Sequence, residues 1–462
     1  MSPPSPPTRQ QWSSQSAFVL AAAGAAVGLG NFWRFPHLVH EHGGGAFLVI
    51  FLVCLLVVGW PLLIAETAFG RRTRRNPVDA LDELARTEGR SPNWRFVGGL
   101  GLITGFVILS YYGVVAGWVL AYAVRSAVGV FDRVTEDGAG YIFSELLADP
   151  ERLLAWHSVF LGFTAVVVMR GVRRGVEQAV RVLMPLLFFL LMILVAYAAT
   201  RDGFQTAVRE LFMPVWADVD GSSFLAALGQ AFFTLGVGTG SLLIYGSYLP
   251  KGTSLIRPCA SVLAIDFLVG ILIGLVIYTV VVDQDLESVQ GPRLLFETLP
   301  VAFGQVPGGR WLLSALWLVL ACAAWTSAIA LTEPLVAWVQ QRWGVRRPSA
   351  GVLVLGGAWL LGDISVVSLN LWSDISVFGM SWFRFFDQLA ANTMLPLSGL
   401  LIAVFGAWIL SRDMTRLELG LGRPGFAVWW FTLRYLTTGL MIVVLLDCSG
   451  ALSYLKRFFL GF

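Results

Sequence analysis

Along this chain, apolar runs of about 20 residues alternate with short polar stretches, and the runs lack the every-second-residue alternation of strands. Eleven such segments can be marked, at about 13–37, 44–69, 96–127, 153–170, 176–199, 222–247, 256–284, 311–340, 349–368, 378–410 and 426–447. As α-helices, runs of this length span a hydrocarbon layer of about 30 Å. Lipid offers no partner for backbone N–H and C=O groups, so a helix, which pairs its own, is the predicted structure. The pattern reads as an all-α integral membrane protein with 11 transmembrane helices.

Two segments depart from the pattern. The first carries Gly24 and then Gly28-Leu29-Gly30-Asn31; the sixth carries Thr234-Leu235-Gly236-Val237-Gly238-Thr239-Gly240. They lie five segments apart, and an odd offset gives the two halves opposite senses across the membrane. Glycine-interrupted segments at matching places in inverted halves point to a transporter site near the midplane. Glycines that only let helices touch usually keep a four-residue spacing; Gly24/Gly28 and Gly236/Gly240 have it, but the further glycines clustered beside Asn31 and Thr234 fit a contact face poorly. The expected architecture is a 5+5 inverted repeat with helices 1 and 6 broken at the midplane. Residues 1–11 then form a disordered cytoplasmic tail, and residues 12–411 the transporter core. Repeat one covers about 13–200 and repeat two about 222–411; residues 412–462 hold the eleventh helix and a C-terminal tail.

Composition agrees: 56% of residues are hydrophobic and 13% charged, about half the charge of a soluble domain. The net charge of +3 gives no reason to expect nucleic acid. Lys and Arg, from the Arg71–Arg75 cluster onward, favour one set of loops by roughly two to one. This places the N-terminus in the cytoplasm; the plasma (inner) membrane is the expected location. Cys54, Cys259, Cys322 and Cys448 are too scattered for a disulfide framework or a metal site. His37, His40 and His42 lack a fourth ligand for zinc.

Gly24-Ala25-Ala26-Val27-Gly28-Leu29-Gly30-Asn31-Phe32-Trp33-Arg34-Phe35-Pro36 resembles the first-helix signature of the neurotransmitter:sodium symporter family. Gly43-Gly44-Gly45, Gln230-Ala231-Phe232-Phe233-Thr234-Leu235 and Ala323-Ala324-Trp325-Thr326-Ser327 resemble its glycine triplet, sixth helix and eighth helix. The likeness runs from about residue 9 to 411, and eleven helices are similar to many members of the bacterial amino-acid transporter branch. It implies one or two co-transported sodium ions. One would lie among Ala26, Asn31, Thr234 and Asp266, completed by the substrate carboxylate. The other would lie among Gly24, Val27, Ala323, Thr326 and Ser327. Sodium is a hard cation and takes oxygen ligands, which unwound backbone and these side chains offer. Taken alone, Thr326 and Ser327 would read first as hydroxyls bonding back to their own helix; beside the first-helix motif they read as sodium ligands.

The family usually has a neutral residue where this chain has Asp266. Where animal members bind chloride with Tyr, Gln and Ser, this chain has Phe51, Gln230 and Gly270. The Asp266 carboxylate is therefore expected to supply the charge that chloride supplies elsewhere, so no chloride is expected. Burial without sodium disfavours a bare carboxylate, and Asp266 is a candidate to take up a proton on the empty return step.

The resemblance gives a substrate pocket of Ala25, Ala26, Gly28, Ile108, Tyr112, Phe233, Thr234, Gly236, Thr239, Ser327 and Leu331. Gly28 stands where amine-selective relatives carry Asp, and leaves room for a substrate carboxylate, to which Tyr112 would donate. Small residues on the helix 6 side, with Thr239 polar, favour a bulky or aromatic amino acid; a zwitterion with a polar tail stays open. Arg34 and Asp387 match the outer gate, and Arg9, Trp12 and Tyr248 the inner latch. The latch's acidic partner is missing, its position being Gln341, so a weaker inner gate or another partner is expected. Gly175 and Pro185 match a motif that lets helix 5 unwind; a static proline kink is the other reading. Glu66 is expected to satisfy N–H groups freed by the break in helix 6. The chain reads as a sodium-coupled amino-acid symporter and not an enzyme, with lipid bilayer and amino acid as partners and oligomeric state unknown. A sodium-dependent sensor without net flux is the alternative.

Overall fold

The computed structural model describes residues 10–250, 252–284 and 291–450. The expected tail through residue 9, with the latch residue Arg9, and the expected C-terminal tail from residue 451 lie outside the described residues. Among the described residues the chain is helical, with no strand and only two isolated bridges, Gly44–Pro214 and Val377–Met380.

Among the described residues nine helices are long and apolar enough to cross a membrane, or ten with one bent pair. The bent pair is α1 (Gln15–Ala26) and α2 (Gly30–Glu41), 61° apart. Next come α3 (Gly45–Thr73), α4 (Pro92–Ala127), α5 (Pro150–Met169) and α6 (Val172–Ala198). Segment 6 is two short helices, α7 (Gly221–Thr234) and α8 (Ser241–Ser247). The series ends with α9 (Ile256–Asp283), α10 (Gly309–Trp343), α11 (Arg347–Val367), α12 (Trp382–Ile409) and α13 (Arg423–Cys448). Short helices missed by the reading of apolar runs lie between these spans, at Pro77–Thr87, Glu136–Ala148, Phe204–Phe212, Leu294–Gly304 and Arg412–Leu419.

Local chemistry sets the helix starts. Ser14 Oγ accepts from the Ala17 N–H at 3.2 Å and opens α1. Asp220 accepts from the Ser222 and Ser223 N–H groups at 2.8 and 3.1 Å and opens α7. Those bonds, led by one from the Ser222 hydroxyl, hold the exposed Asp220 carboxyl down at about 2.

The centre is built by α10, which packs along α4 and α6, while α1 lies against α9 and α10. The second broken span is held by a close crossing of α3 and α8. A Cβ on Gly70 would come within 1.7 Å of the Leu243 carbonyl oxygen, and one on Gly246 within 2.3 Å of the Thr67 oxygen. Two glycines facing each other's backbones let the helices touch, the means by which membrane helices gain contact area.

Candidate functional site

Both breaks free backbone groups and direct polar side chains inward. At the end of α1 Val27 is extended, with φ −70° and ψ 101°. The Gly28 N–H, which would continue the helix, instead donates to Asn31 Oδ1 at 3.2 Å. Between α7 and α8, Gly236, Gly238 and Gly240 take φ of 60°, 96° and 79°, left-handed values that side chains with a Cβ resist. As expected of it, Glu66 Oε1 accepts the freed Gly238 N–H at 2.6 Å; Ser398 donates to the Gly238 carbonyl at 2.7 Å.

Asn31, Thr234 and Asp266, from three different helices, converge and are all buried. Asn31 Nδ2 donates to Asp266 Oδ1 at 2.9 Å, and Thr234 Oγ1 donates to the two Asp266 oxygens at 2.9 and 3.0 Å. Thr234 Oγ1 is also 3.5 Å from Asn31 Oδ1. Oxygen donors with one carboxylate among them are of the kind that hard cations take; Ala26, expected in the same set, is the last residue of α1. One turn beyond Asp266 on α9, the surroundings of Gly270 are aromatic. Phe51 stands 5.2 Å from Phe35 and 6.0 Å from Phe267, and a Cβ on Gly270 would touch the Phe35 ring at 3.1 Å.

The second oxygen set joins α1 to α10. Ser327 Oγ donates across to the carbonyls of Gly24 and Val27 at 3.3 and 3.2 Å. Thr326 instead bonds back to the carbonyls of Cys322 and Ala323 at 3.1 and 3.0 Å. That hydroxyl still faces α1, since a Cβ on Gly24 would lie 3.2 Å from Thr326 Oγ1. Of the pair, Thr326 makes the bonds back to its own helix, while Ser327 bridges α10 to α1.

A cavity of about 550 Å³ adjoins both sets. Its wall includes Ala25, Ala26 and Gly28 from the first break, and Ile108 and Tyr112 from α4. Phe233, Thr234, Gly236 and Thr239 come from the second break, and Ser327 and Leu331 from α10. The Tyr112 hydroxyl lies 3.6 Å from where a Gly28 Cβ would be and is buried without a hydrogen-bond partner. A Cβ on Gly236 would meet nothing within 4 Å, so the cavity has room there. Thr239 does not add the polarity expected of it. Its hydroxyl donates to the Gly236 carbonyl at 2.8 Å and sits 2.9 Å from Ser241 Oγ, consumed within the loop.

The two ends of the cavity differ. Arg34 and Asp387 both line one end, without an ion pair between them, and the Arg34 guanidinium lies 5.4 Å from the centre of the Phe233 ring. That end reaches exposed Arg384. The opposite side is sealed. Trp12 is buried, its indole N–H donating to the Tyr245 carbonyl at 2.9 Å and its backbone N–H to the Tyr248 carbonyl at 3.1 Å.

Sequence reasoning missed the acid of this seal. Tyr248 Oη donates to Glu333 Oε1 at 2.6 Å, and Arg347 pairs with Glu333 Oε2, which is fully buried. Gln341, where the family's acid was sought, accepts from the Asn76 amide at 2.7 Å. Glu333 precedes it by about two turns on α10, and an ionisable group inside an apolar segment was the available signal. Gly175 lies in the wound first turns of α6, and Pro185 lies inside that helix. The three histidines separate: His37 pairs with Glu41 at 2.9 Å, His42 Nδ1 is 3.1 Å from Ser223 Oγ, and His40 lies against Tyr278. Among the described residues no cluster of His, Cys, Asp and Glu is grouped to hold a metal.

The model of the sodium:neurotransmitter symporter family matches residues 9–131 and 151–456. An uncharacterized sodium-dependent transporter of Bacillus subtilis, YhdH, is 35% identical over 452 residues, covering 96% of this chain and 98% of that protein. The sodium-dependent neutral amino acid transporter B(0)AT2 of Bos taurus is 28% identical, over 59% of this chain and 40% of that protein. The crystal structure of MhsT in complex with L-phenylalanine superposes with a TM-score of 0.87 at 34% identity. It covers 96% of this chain and 100% of MhsT.

Proposed function

The chain belongs to the sodium:neurotransmitter symporter family, and on that premise we propose that it carries a bulky hydrophobic or aromatic amino acid into the cell with sodium and without chloride. The family is one of sodium-coupled membrane transporters, not of enzymes. The observation that carries the finer reading is the convergence of Asn31, Thr234 and Asp266 on a cavity where the Tyr112 hydroxyl has no partner. Counting α7 and α8 as one broken span gives eleven, with breaks in the first and sixth, as a 5+5 inverted repeat requires. The N-terminus would be cytoplasmic and the membrane the plasma membrane.

In this reading Gly28 leaves space for the substrate carboxylate, which meets sodium at Asn31 and Thr234 and accepts from Tyr112. The open volume at Gly236 receives a large side chain, and MhsT, so similar in fold, was crystallised with phenylalanine. The two oxygen sets would take two sodium ions. With about 100 mV and a tenfold sodium gradient, each ion supplies roughly 2.3 plus 1.4 kcal/mol, so two sustain on the order of a 10⁵-fold substrate gradient. The sealed Trp12 side and the reachable Arg34 side fit the outward-facing half of an alternating-access cycle.

Two measurements test this. Sodium-dependent binding of radiolabelled tryptophan should weaken about 10- to 100-fold in Tyr112→Phe, the value of a hydrogen bond to a charged group. Wild-type affinity retained in that variant would remove the carboxylate anchor from the account. Replacing chloride by gluconate should leave uptake unchanged, because Phe51 and Gly270 offer no ligands and Asp266 already carries the charge. Collapse of uptake in gluconate would overturn that part.

A further inference from the structure

A second groove, of about 210 Å³, lies between α5, α6 and α10, away from the central cavity. Val167, Ala179, Val182 and Leu183 make its walls apolar, and Val182 is 60% exposed on the surface that faces lipid. At its polar end stand Arg170 and Arg174, both exposed. Among the described residues neither guanidinium makes a hydrogen bond or an ion pair, whereas their basic neighbours are engaged. Arg173 donates to the Gln11 carbonyl at 2.9 Å, Arg181 pairs with Glu177 at 2.8 Å, and Arg347 pairs with Glu333. Trp325 also lines the groove, and its indole nitrogen is buried without a partner.

Two unpaired guanidiniums at the membrane end of a hydrocarbon-walled groove match an amphiphile with an anionic head. Arginine binds phosphate through paired N–H groups, and basic pockets between membrane helices select anionic headgroups. A soluble anion would gain nothing from the Val182 and Leu183 walls. We propose that this groove holds one anionic phospholipid, its phosphate on Arg170 and Arg174 and an acyl chain along Val167, Val182 and Leu183.

The position gives the lipid a consequence, which rests on the symporter reading above. Trp325 directly precedes Thr326 of the second oxygen set. Leu183 directly precedes Met184, whose sulfur lies 3.2 Å from a Cβ on Gly24. Gly175, in the first turns of α6, lines the same groove. One layer of residues thus separates the lipid from the second sodium site, and an occupied groove braces the wound start of α6.

The test reads binding and not transport, so it stands or falls separately from the symporter reading. The full chain in phosphatidylcholine nanodiscs is titrated with spin-labelled phosphatidylglycerol and, in parallel, spin-labelled phosphatidylcholine. Wild type should restrict phosphatidylglycerol preferentially. Arg170→Gln with Arg174→Gln should lose that preference by on the order of 25-fold, about fivefold per guanidinium. Ala179→Trp, which fills the groove without changing charge, should lose it too, while the exposed loop variant Arg90→Gln should not. Preference retained in the double variant, equal loss in Arg90→Gln, or displacement of the lipid by inorganic phosphate would each overturn the proposal.

Discussion

Glu333→Ala is expected to weaken apparent substrate affinity by about 100-fold or more while leaving the cavity wall untouched. Glu333 is fully buried and holds both the Tyr248 hydroxyl and the Arg347 guanidinium, whose side chain is only 12% exposed. Removing one partner of a buried pair strands the other, at a cost of about 3–5 kcal/mol. The cost falls on the closed state, because opening lets Arg347 reach water. The population of the state that binds from the Arg34 side drops, and apparent affinity drops with it. A cysteine introduced at Ser247, buried beside the seal, should become reactive to water-soluble thiol reagents in the variant. Gln341→Ala should cost less: the Asn76 side chain keeps its bond to Asp79 at 2.8 Å, and only the Asn76 backbone N–H, which donates to Gln341 at 3.2 Å, loses its acceptor. Unchanged Ser247→Cys reactivity in Glu333→Ala would show that the seal rests elsewhere.

Asp266→Asn is expected to lower sodium affinity by about 100-fold or more, and added chloride should not restore it. A unit charge about 3 Å from a cation is worth several kcal/mol even at an effective dielectric of 20, so a hundredfold is a lower bound. The substitution keeps the shape and one acceptor for Thr234, so the helices around it should still assemble. Chloride should not substitute, because Phe51 and Gly270 stand where chloride-binding relatives carry hydroxyls, and Phe51 packs against Phe35 and Phe267. Sodium-dependent substrate binding, titrated in sodium chloride and in sodium gluconate, reads both parts. Near-wild-type sodium affinity in Asp266→Asn would remove the carboxylate from the sodium site.

The breaks were legible because they are local. The glycines of Gly28–Asn31 and Gly236–Gly240 mark in sequence where the helix is interrupted; the observed helices stop at Ala26 and Thr234 and resume at Gly30 and Ser241. The residues of the two oxygen sets and the cavity wall were legible through the resemblance, which places them residue by residue. What failed to show depended on distant contacts or on short elements. Glu333 meets Arg347 across α10 and α11, a pairing set by packing and not by spacing, so attention fell on Gln341. The Thr239 hydroxyl was read as pocket polarity, but a threonine beside freed carbonyls bonds locally first. Phe204–Phe212 and Arg412–Leu419 are too short for a search that looks for spans, though their amphipathic patterns are clear afterwards.

The most direct test of sodium-coupled transport is uptake of radiolabelled tryptophan into proteoliposomes under an inward sodium gradient, with potassium replacing sodium in the control. Accumulation above the external concentration in sodium, absent in potassium and absent in Thr326→Ala with Ser327→Ala, is the predicted result. Sodium-dependent binding without accumulation would contradict it and identify the protein as a sensor that keeps the fold and the sites but moves nothing.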